Sequence, residues 1–266
     1  MSAPDAHRPA RSELGRYRQS LWLLTLRDLR VRYSTSALGY LWSIIDPLVM
    51  AAIYWFVFTQ IFGRDVGAEP YIVFLLTALL PWTWFNGAVG DATRAFLKDA
   101  KLVRSTKLPR SIWVGRIVLS KGIEFLASLP VLAAFAIFGG ATLHWQVVFF
   151  PLAIVLQAIL TLGVGLIVAP LVVFFRDLER ATKLALRFLF YASPIIYGIT
   201  DLIPLGLEVP ASFNPLAGIF SLYRAAFFPE QLDWLAVGIG AGMSVLLLAI
   251  GMLVFRRTIS SVLKEI

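Results

Sequence analysis

Six long apolar runs alternate with short polar stretches along this chain. They cover residues of about 38–62, 70–91, 112–138, 145–175, 184–203 and 232–255. A helix crosses a bilayer core about 30 Å thick with roughly 20 apolar residues, and each run reaches that length. The pattern predicts an all-α polytopic membrane protein with six transmembrane helices. The short connection 63–69 should join the first two as a hairpin.

The stretch 201–231 interrupts this alternation. Four prolines divide it, and its apolar part, residues 215–228, is too short to span a bilayer. We therefore expect short re-entrant helices on the outer side, between spans 5 and 6.

A polar segment, residues 14–33, precedes the first apolar run and follows a disordered tail, residues 1–13. One helical face carries Trp22, Leu26, Leu29 and Tyr33, with Arg27 and Arg30 beside it. This spacing predicts an amphipathic helix at the membrane interface. A plain membrane anchor and an element that organises an opening for a lipid substrate fit the pattern equally well.

Charge gives the orientation. Of the 24 lysines and arginines, only Arg64 and Arg224 fall on one side of the six-span arrangement. The positive-inside rule then places both termini in the cytoplasm. A seventh span within 201–231 would instead place the basic C-terminal tail on the outer side of the membrane. The net charge of +8 lies beside the membrane, where it suits anionic membrane lipids rather than nucleic acid.

Catalytic and cofactor patterns are absent from the sequence. It contains no cysteine and only two histidines, and residues 115–121 lack the second glycine of a phosphate-binding loop. We expect no catalytic, cofactor or metal site in this chain. Energised work would then depend on another chain or on an ion gradient.

Several polar groups lie inside the apolar runs. Asp46 precedes Pro47 in the first run, where a carboxylate either faces a cavity or marks a kink near the cytoplasmic interface. Lys121 and Glu124 are three residues apart and should neutralise each other on one helix face. Aromatic residues crowd the first two runs, and they suit either an interfacial belt or a conduit for sugar rings.

Two further patterns concern packing and docking. Small residues cluster at Gly163, Gly165, Gly238, Gly240 and Gly242, and Gly238 and Gly242 have the spacing that lets helices approach closely. Packing within the chain is the commoner explanation, and contact between subunits is the alternative. The loop 91–110 is either a solvated basic loop or a short helix that docks on a cytoplasmic partner. Its apolar anchors would then be Phe96, Leu97, Leu102 and Val103.

Nine short sequence pieces occur in a fixed order. They are Arg27–Tyr33, Leu38–Trp42, Asp46–Leu48, Lys101–Val103, Leu108–Arg110, Phe174–Leu178, Ser193–Tyr197, Asn214–Leu216 and Tyr223–Arg224. As a set they resemble ABC-2 type permeases that export polysaccharides such as O-antigen, teichoic acid and mycobacterial galactan. The resemblance covers the chain from residue 14 onwards, and the ordered set is specific although each piece is short.

The resemblance implies a homodimer of this chain with two copies of a separate cytoplasmic ATPase that binds ATP and Mg²⁺. It implies an interface helix at 14–33 and a coupling helix at about 93–104. The coupling candidates are Phe96, Lys98, Lys101, Leu102, Val103 and Arg104. The candidates for a substrate conduit are Trp42, Asp46, Tyr54 and Tyr197. The implied activity is export of a lipid-linked polysaccharide across the bacterial cytoplasmic membrane.

Two alternatives stay open at this point. An ABC-2 exporter of a drug or small lipid is one, although many such relatives carry a large outer domain that this sequence lacks. An integral-membrane enzyme that modifies glycans or lipids is the other, and it would need a cluster of carboxylates or histidines at one membrane face.

Overall fold

The computed structural model describes residues 13–33, 41–61, 67–106 and 108–265, and the regular elements in these ranges are helices. The α-helices are α1 (Glu13–Tyr33), α2 (Trp42–Trp55), α3 (Tyr71–Ala92), α4 (Ala100–Ser105), α5 (Ile112–Phe138), α6 (Phe150–Phe174), α7 (Asp177–Ala192), α8 (Glu208–Ser212), α9 (Pro215–Arg224) and α10 (Trp234–Glu265). Short 3₁₀ turns cover Trp145–Phe149, Thr200–Leu205 and Pro229–Gln231, and α2 continues as a π-helical segment, Phe56–Ile61.

Four of these helices are long and apolar enough to cross a bilayer. They are α3, α5, α6 with the turn before it, and α10. The first apolar run forms a shorter helix, α2 with its π-helical extension. The expected all-α polytopic membrane protein is therefore confirmed, while the count of six spans stays a prediction.

The fifth predicted span, 184–203, is not one helix, and this corrects its boundaries. Helix α7 begins earlier, at Asp177, and ends at Ala192, because Ser193 takes an extended conformation before Pro194. A proline disfavours helical geometry in the residue before it. The 16 residues of α7 span only about 24 Å at 1.5 Å per residue.

The break after α7 is held by two residues from the outer helices. Asn214 donates a hydrogen bond from Nδ2 to Ser193 Oγ at 2.8 Å. Arg224 is 2% exposed and donates to the carbonyl oxygens of Ile195, at 2.6 Å, and Tyr197, at 3.0 Å. Three of the sequence pieces noted above, 193–197, 214–216 and 223–224, thus meet at one place.

The outer helices do not cross the membrane. The longest of them, α9, has ten residues and is about 15 Å long. Its residues Leu216–Arg224 are all buried against the neighbouring helices. Short helices are therefore present between the fifth and sixth apolar runs, and their re-entrant position on the outer side stays a prediction.

Glycines set the contact between α6 and α10, the most extensively packed helix pair in the part of the chain that the structure describes. A Cβ atom on Gly163 would lie 2.6 Å from the backbone nitrogen of Leu248, so only glycine fits there. Gly238 and Gly242 have open space instead, with no atom within 4 Å of an added Cβ. Packing within the chain is thus confirmed at Gly163 but not at Gly238 and Gly242, for which contact between subunits stays a prediction.

Helix α3 lies at the centre of the bundle and packs against α2, α5, α6 and α9. Gln157 of α6 is fully buried and donates a hydrogen bond from Nε2 to the Pro81 carbonyl at 2.6 Å, which ties α6 to α3 at the α3 proline. The candidate sites below lie along α3 and at its C-terminal end.

Candidate functional site

An ion-pair cluster around one buried arginine joins three segments at the end of the bundle predicted to be cytoplasmic. Arg116, in the second turn of α5, is 3% exposed and donates from Nη1 to Asp28 Oδ1 of α1 at 2.8 Å. Its Nη2 donates to Asp99 Oδ2, just before α4, at 2.5 Å. Arg27 of α1 donates to the other oxygen of Asp99 at 3.0 Å. We call these four residues the α1–α4–α5 cluster.

The two carboxylates of the cluster differ in their electrostatics. Burial raises the pKa of Asp28, and the nearby charge of Arg116 opposes this rise without cancelling it. Burial would also raise the pKa of Asp99, but the hydrogen bonds and charges of Arg116 and Arg27 outweigh it and lower that pKa. Asp99, with an arginine on each oxygen, is thus the firmly ionised centre of the cluster.

A second, exposed cluster lies beside the first. Glu179, in the first turn of α7, accepts hydrogen bonds from Arg94 Nε at 3.0 Å and from Lys183 Nζ at 2.7 Å. The hydrogen bonds from Arg94 and Lys183 lower the pKa of Glu179 to about 2. A cavity of about 760 Å³ separates the two clusters and is lined by residues of both.

Two cavities enter the bundle between α2, α3, α5 and α7. One, of about 290 Å³, is lined by Asp46, Pro47, Thr83, Trp84, Asn86, Lys121, Glu124, Phe125 and Ser128. The other, of about 440 Å³, shares Asp46, Pro47, Thr83 and Asn86 with the first and adds residues of α7. These shared residues make the two cavities neighbours along one face of α3.

The first cavity has a charged wall on α5. Lys121 donates from Nζ to Glu124 Oε2 at 2.8 Å, which confirms the pair expected from their spacing. The second cavity has aromatic walls, where Tyr54 stacks on Phe190 at 5.8 Å between ring centroids and Trp82 meets Phe190 edge-on at 5.5 Å. Together the cavities offer ionisable groups, an amide and aromatic rings inside the bundle, with no grouping of metal ligands among the described residues.

A comparison with known protein families matches residues 19–228 to the ABC-2 type transporter family. The chain belongs to this family. It is also 36% identical over 239 residues to the O-antigen export system permease protein RfbA of Klebsiella pneumoniae, which covers 89% of this chain and 91% of that protein. This permease is thus a transport subunit rather than an enzyme.

More distant relatives carry related names. The RfbA protein of Myxococcus xanthus is 29% identical, over 83% of this chain and 84% of its own length. The polysialic acid transport protein KpsM of Escherichia coli is 25% identical, over 88% and 91%. The resemblance that the short sequence pieces indicated is confirmed at the level of the family.

Two of the four conduit candidates lie in one cavity of the permease, and the other two lie elsewhere. Asp46 and Tyr54 line the same cavity of about 440 Å³. Trp42 starts α2 and is 46% exposed. The Tyr197 hydroxyl donates to the Tyr191 carbonyl at 3.2 Å, and Tyr197 follows the break after α7 rather than lining either cavity.

The coupling candidates fall into a buried group and an accessible group, and this corrects part of the sequence interpretation. Phe96 is 1% exposed and packs against Phe255 of α10, and Val103 is fully buried. Both face the core of this chain, so they cannot serve as apolar anchors on a partner. The expected helix at 93–104 is shorter as well, since 93–99 form turns and α4 begins at Ala100.

The remaining coupling candidates stay accessible to a partner. Lys98, Lys101 and Arg104 are exposed, and Leu102 is half-buried against the core. Arg110 anchors α4 from behind by donating to the carbonyl oxygens of Val103 and Thr106. Leu97, the other expected apolar anchor, is 37% exposed, so the accessible surface of this segment is mainly basic with one apolar side chain on it.

The predicted interface helix exists as α1, which packs against α5. Its buried positions are Thr25 and Leu29, whereas Trp22 is 50% exposed. Arg27 belongs to the ion-pair cluster and Arg30 is exposed. The side chain of Tyr33 lies outside the part of the chain that the structure describes.

Sequence reasoning missed two groups of residues. Asp28, Asp99 and Arg116 went unnoticed because they lie far apart in the chain and each looks like an ordinary juxtamembrane charge. Thr83 and Asn86 were missed too, although a signal existed. Polar residues three positions apart in a run this apolar indicate one helix face that does not contact lipid.

Proposed function

We propose that this chain is the permease subunit of an ATP-driven exporter that moves a lipid-linked polysaccharide outwards across the bacterial cytoplasmic membrane. The observation that carries the proposal is the similarity, over almost the full length, to permeases named for O-antigen export. The polar, ring-lined cavities support it. They occur within the apolar part of the bundle, where polar side chains indicate a substrate path.

We further propose that the working unit contains two copies of this chain. The second cavity is lined by α2, α3 and α7, and the outward faces of α2 and α7 are apolar and exposed in the single chain, at Met50, Ile53, Phe188 and Tyr191. Polar groups at membrane depth have to be shielded from lipid. A second copy packed on these faces provides that shield and closes the wall of the path.

The energy for transport would come from two copies of a cytoplasmic ATPase subunit that bind ATP and Mg²⁺. Lys98, Lys101 and Arg104 are exposed basic residues of the segment around α4 and are our candidates for contact with this subunit. The α1–α4–α5 cluster supports the assignment, because it connects the segment before α4 directly to α5. In this proposed arrangement both termini of the chain lie in the cytoplasm.

The test reverses charge at the exposed coupling positions. In cells that depend on this chain for export, Lys101→Glu with Arg104→Glu should reduce co-purification of the ATPase subunit and stop delivery of surface polysaccharide. Lys264→Glu, at an exposed basic position on α10, is the matched control. Normal co-purification and export with the double variant would disprove the coupling assignment.

The substrate class is tested by depletion. Cells that lose the chain should accumulate lipid-linked glycan in the cytoplasmic leaflet, as detected by extraction and mass spectrometry. If a drug or small lipid accumulates instead while glycan reaches the surface normally, the polysaccharide proposal is wrong.

A further inference from the structure

Helix α3 has one accessible face, and it is polar. Sixteen of its 22 residues are buried. Those that remain accessible in its C-terminal half are Thr83, Asn86, Gly87, Gly90 and Asp91. Their spacing of three and one residues places them on one side of the helix, and Arg94 follows one turn later. We call this surface the α3 track.

The track is continuous with three cavities. A cavity of about 310 Å³ is lined by Asn86, Gly87, Gly90, Asp91, Arg94, Lys183 and Leu186. It shares Asn86 with the two cavities described above, of about 290 and 440 Å³. The α3 track therefore runs from the charged end of the bundle at Arg94 to the middle of α3 at Thr83.

Basic and acidic side chains nearly balance along the track among the described residues. The three cavities are lined by the basic residues Arg94, Lys121, Lys183 and Arg187 and by the acidic residues Asp46, Asp91 and Glu124. Glu179 lines the neighbouring cavity of about 760 Å³ and accepts hydrogen bonds from Arg94 and Lys183. Three of the four cations pair with an acidic side chain, since Arg94 and Lys183 share Glu179 and Lys121 binds Glu124. The lining residues alone have a formal charge of +1, and Glu179 beside Arg94 and Lys183 brings the formal charge of the track to zero.

A path with balanced charge suits one class of polymer better than another. A polyanion leaves water favourably only where the walls supply an excess of positive charge. An uncharged, hydroxyl-rich chain needs hydrogen-bonding groups instead, and Thr83, Asn86 and the carboxylate of Asp46 provide them. Gly90 leaves room for a bulky chain, because no atom lies within 4 Å of an added Cβ.

We propose that the α3 track conducts the glycan part of the substrate and is selective for an uncharged glycan over an acidic one. This inference rests on the proposed function and extends it to the charge class of the polymer. The aromatic side chains of Trp82 and Tyr54 line the same path. They offer surfaces on which uncharged sugar rings can stack.

The test uses the absence of cysteine from the native sequence. Single cysteines are placed on the track, as Thr83→Cys, Asn86→Cys and Gly90→Cys. Val89→Cys is the control, since Val89 lies on the same helix but is 1% exposed. Each full-length variant is expressed with its ATPase partner, and inside-out membrane vesicles are treated with impermeant methanethiosulfonates that carry a trimethylammonium or a sulfonate group.

The track cysteines should react at least about tenfold faster than the control cysteine. At each track cysteine, the rates of the two reagents, corrected for their rates with free cysteine, should agree within about threefold, because a wall of balanced charge concentrates neither ion. Because both rates are measured at the same cysteine, their ratio does not depend on the intrinsic reactivity of that thiol. A preference for the sulfonate above about tenfold would show a track built for polyanions and would overturn the inference. Equal slowness at track and control positions would overturn it too.

A parallel measurement of surface glycan separates this inference from the proposed function. Co-purification of the ATPase subunit shows that each variant has folded. If the native chain exports no glycan while the track cysteines are accessible and react equally with both reagents, the proposed function is wrong but the accessible, charge-balanced track is still supported. If it exports glycan and the sulfonate is strongly preferred, the proposed function holds and selectivity for an uncharged chain fails.

Discussion

Removing Arg116 should destabilise this protein far more than removing a neighbouring arginine that also forms an ion pair. The Arg116 side chain is 3% exposed and bonds two carboxylates, Asp28 and Asp99. Arg94 is 61% exposed in its pair with Glu179. Arg116→Gln leaves two half-buried carboxylates close together without their shared cation, whereas Arg94→Gln leaves Glu179 at the surface with Lys183 still bound.

The expected cost for Arg116→Gln follows from this geometry. Breaking a buried ion pair by removing one partner costs about 3–5 kcal/mol. The lower end applies here, because Asp28 and Asp99 retain 22% and 12% exposure and Arg27 still binds Asp99. A loss of about 3 kcal/mol corresponds to a fall in melting temperature of about 6–12 °C for a chain of this size.

The assay is thermal unfolding of the purified chain in lipid nanodiscs, with Arg94→Gln as the matched control. A triple variant, Arg116→Gln with Asp28→Asn and Asp99→Asn, should recover part of the loss, since it removes the repelling carboxylates as well. Equal melting temperatures for Arg116→Gln and Arg94→Gln would refute the reasoning, and so would a triple variant less stable than Arg116→Gln alone.

Two further predictions concern packing and pH. Gly163→Ala should lower the free energy of unfolding by about 1–3 kcal/mol because the new Cβ meets the α10 backbone. Gly238→Ala should instead raise it by about 0.5–1 kcal/mol, since alanine favours a helix more than glycine does. Thermal unfolding compares the two variants, and equal effects would contradict the packing. The contribution of Glu179, whose pKa falls from 4.5 to about 2, should be complete above pH 4.5 and vanish as the pH falls towards 2. The melting difference between wild type and Glu179→Gln should shrink over that range, and a constant difference would contradict it.

The sequence by itself determined much of the architecture. Long apolar runs and the prolines of 201–231 predicted an all-α membrane protein with a non-spanning outer segment, because the length of an apolar run decides whether a helix can span a bilayer. The Lys121–Glu124 pair was predictable as well, since it depends on spacing within one helix. Family membership followed from short pieces in a fixed order.

Tertiary structure alone decided which helix faces meet. Asp28, Asp99 and Arg116 come from three segments, and nothing in their local sequence pairs them. Gly163 packs closely while Gly238 is open, although both lie in apolar helices. Phe96 and Val103 turned inwards where an outward face was expected. The physical reason is that lipid is as apolar as a protein core, so hydrophobicity marks a membrane helix without marking the side that contacts its neighbours.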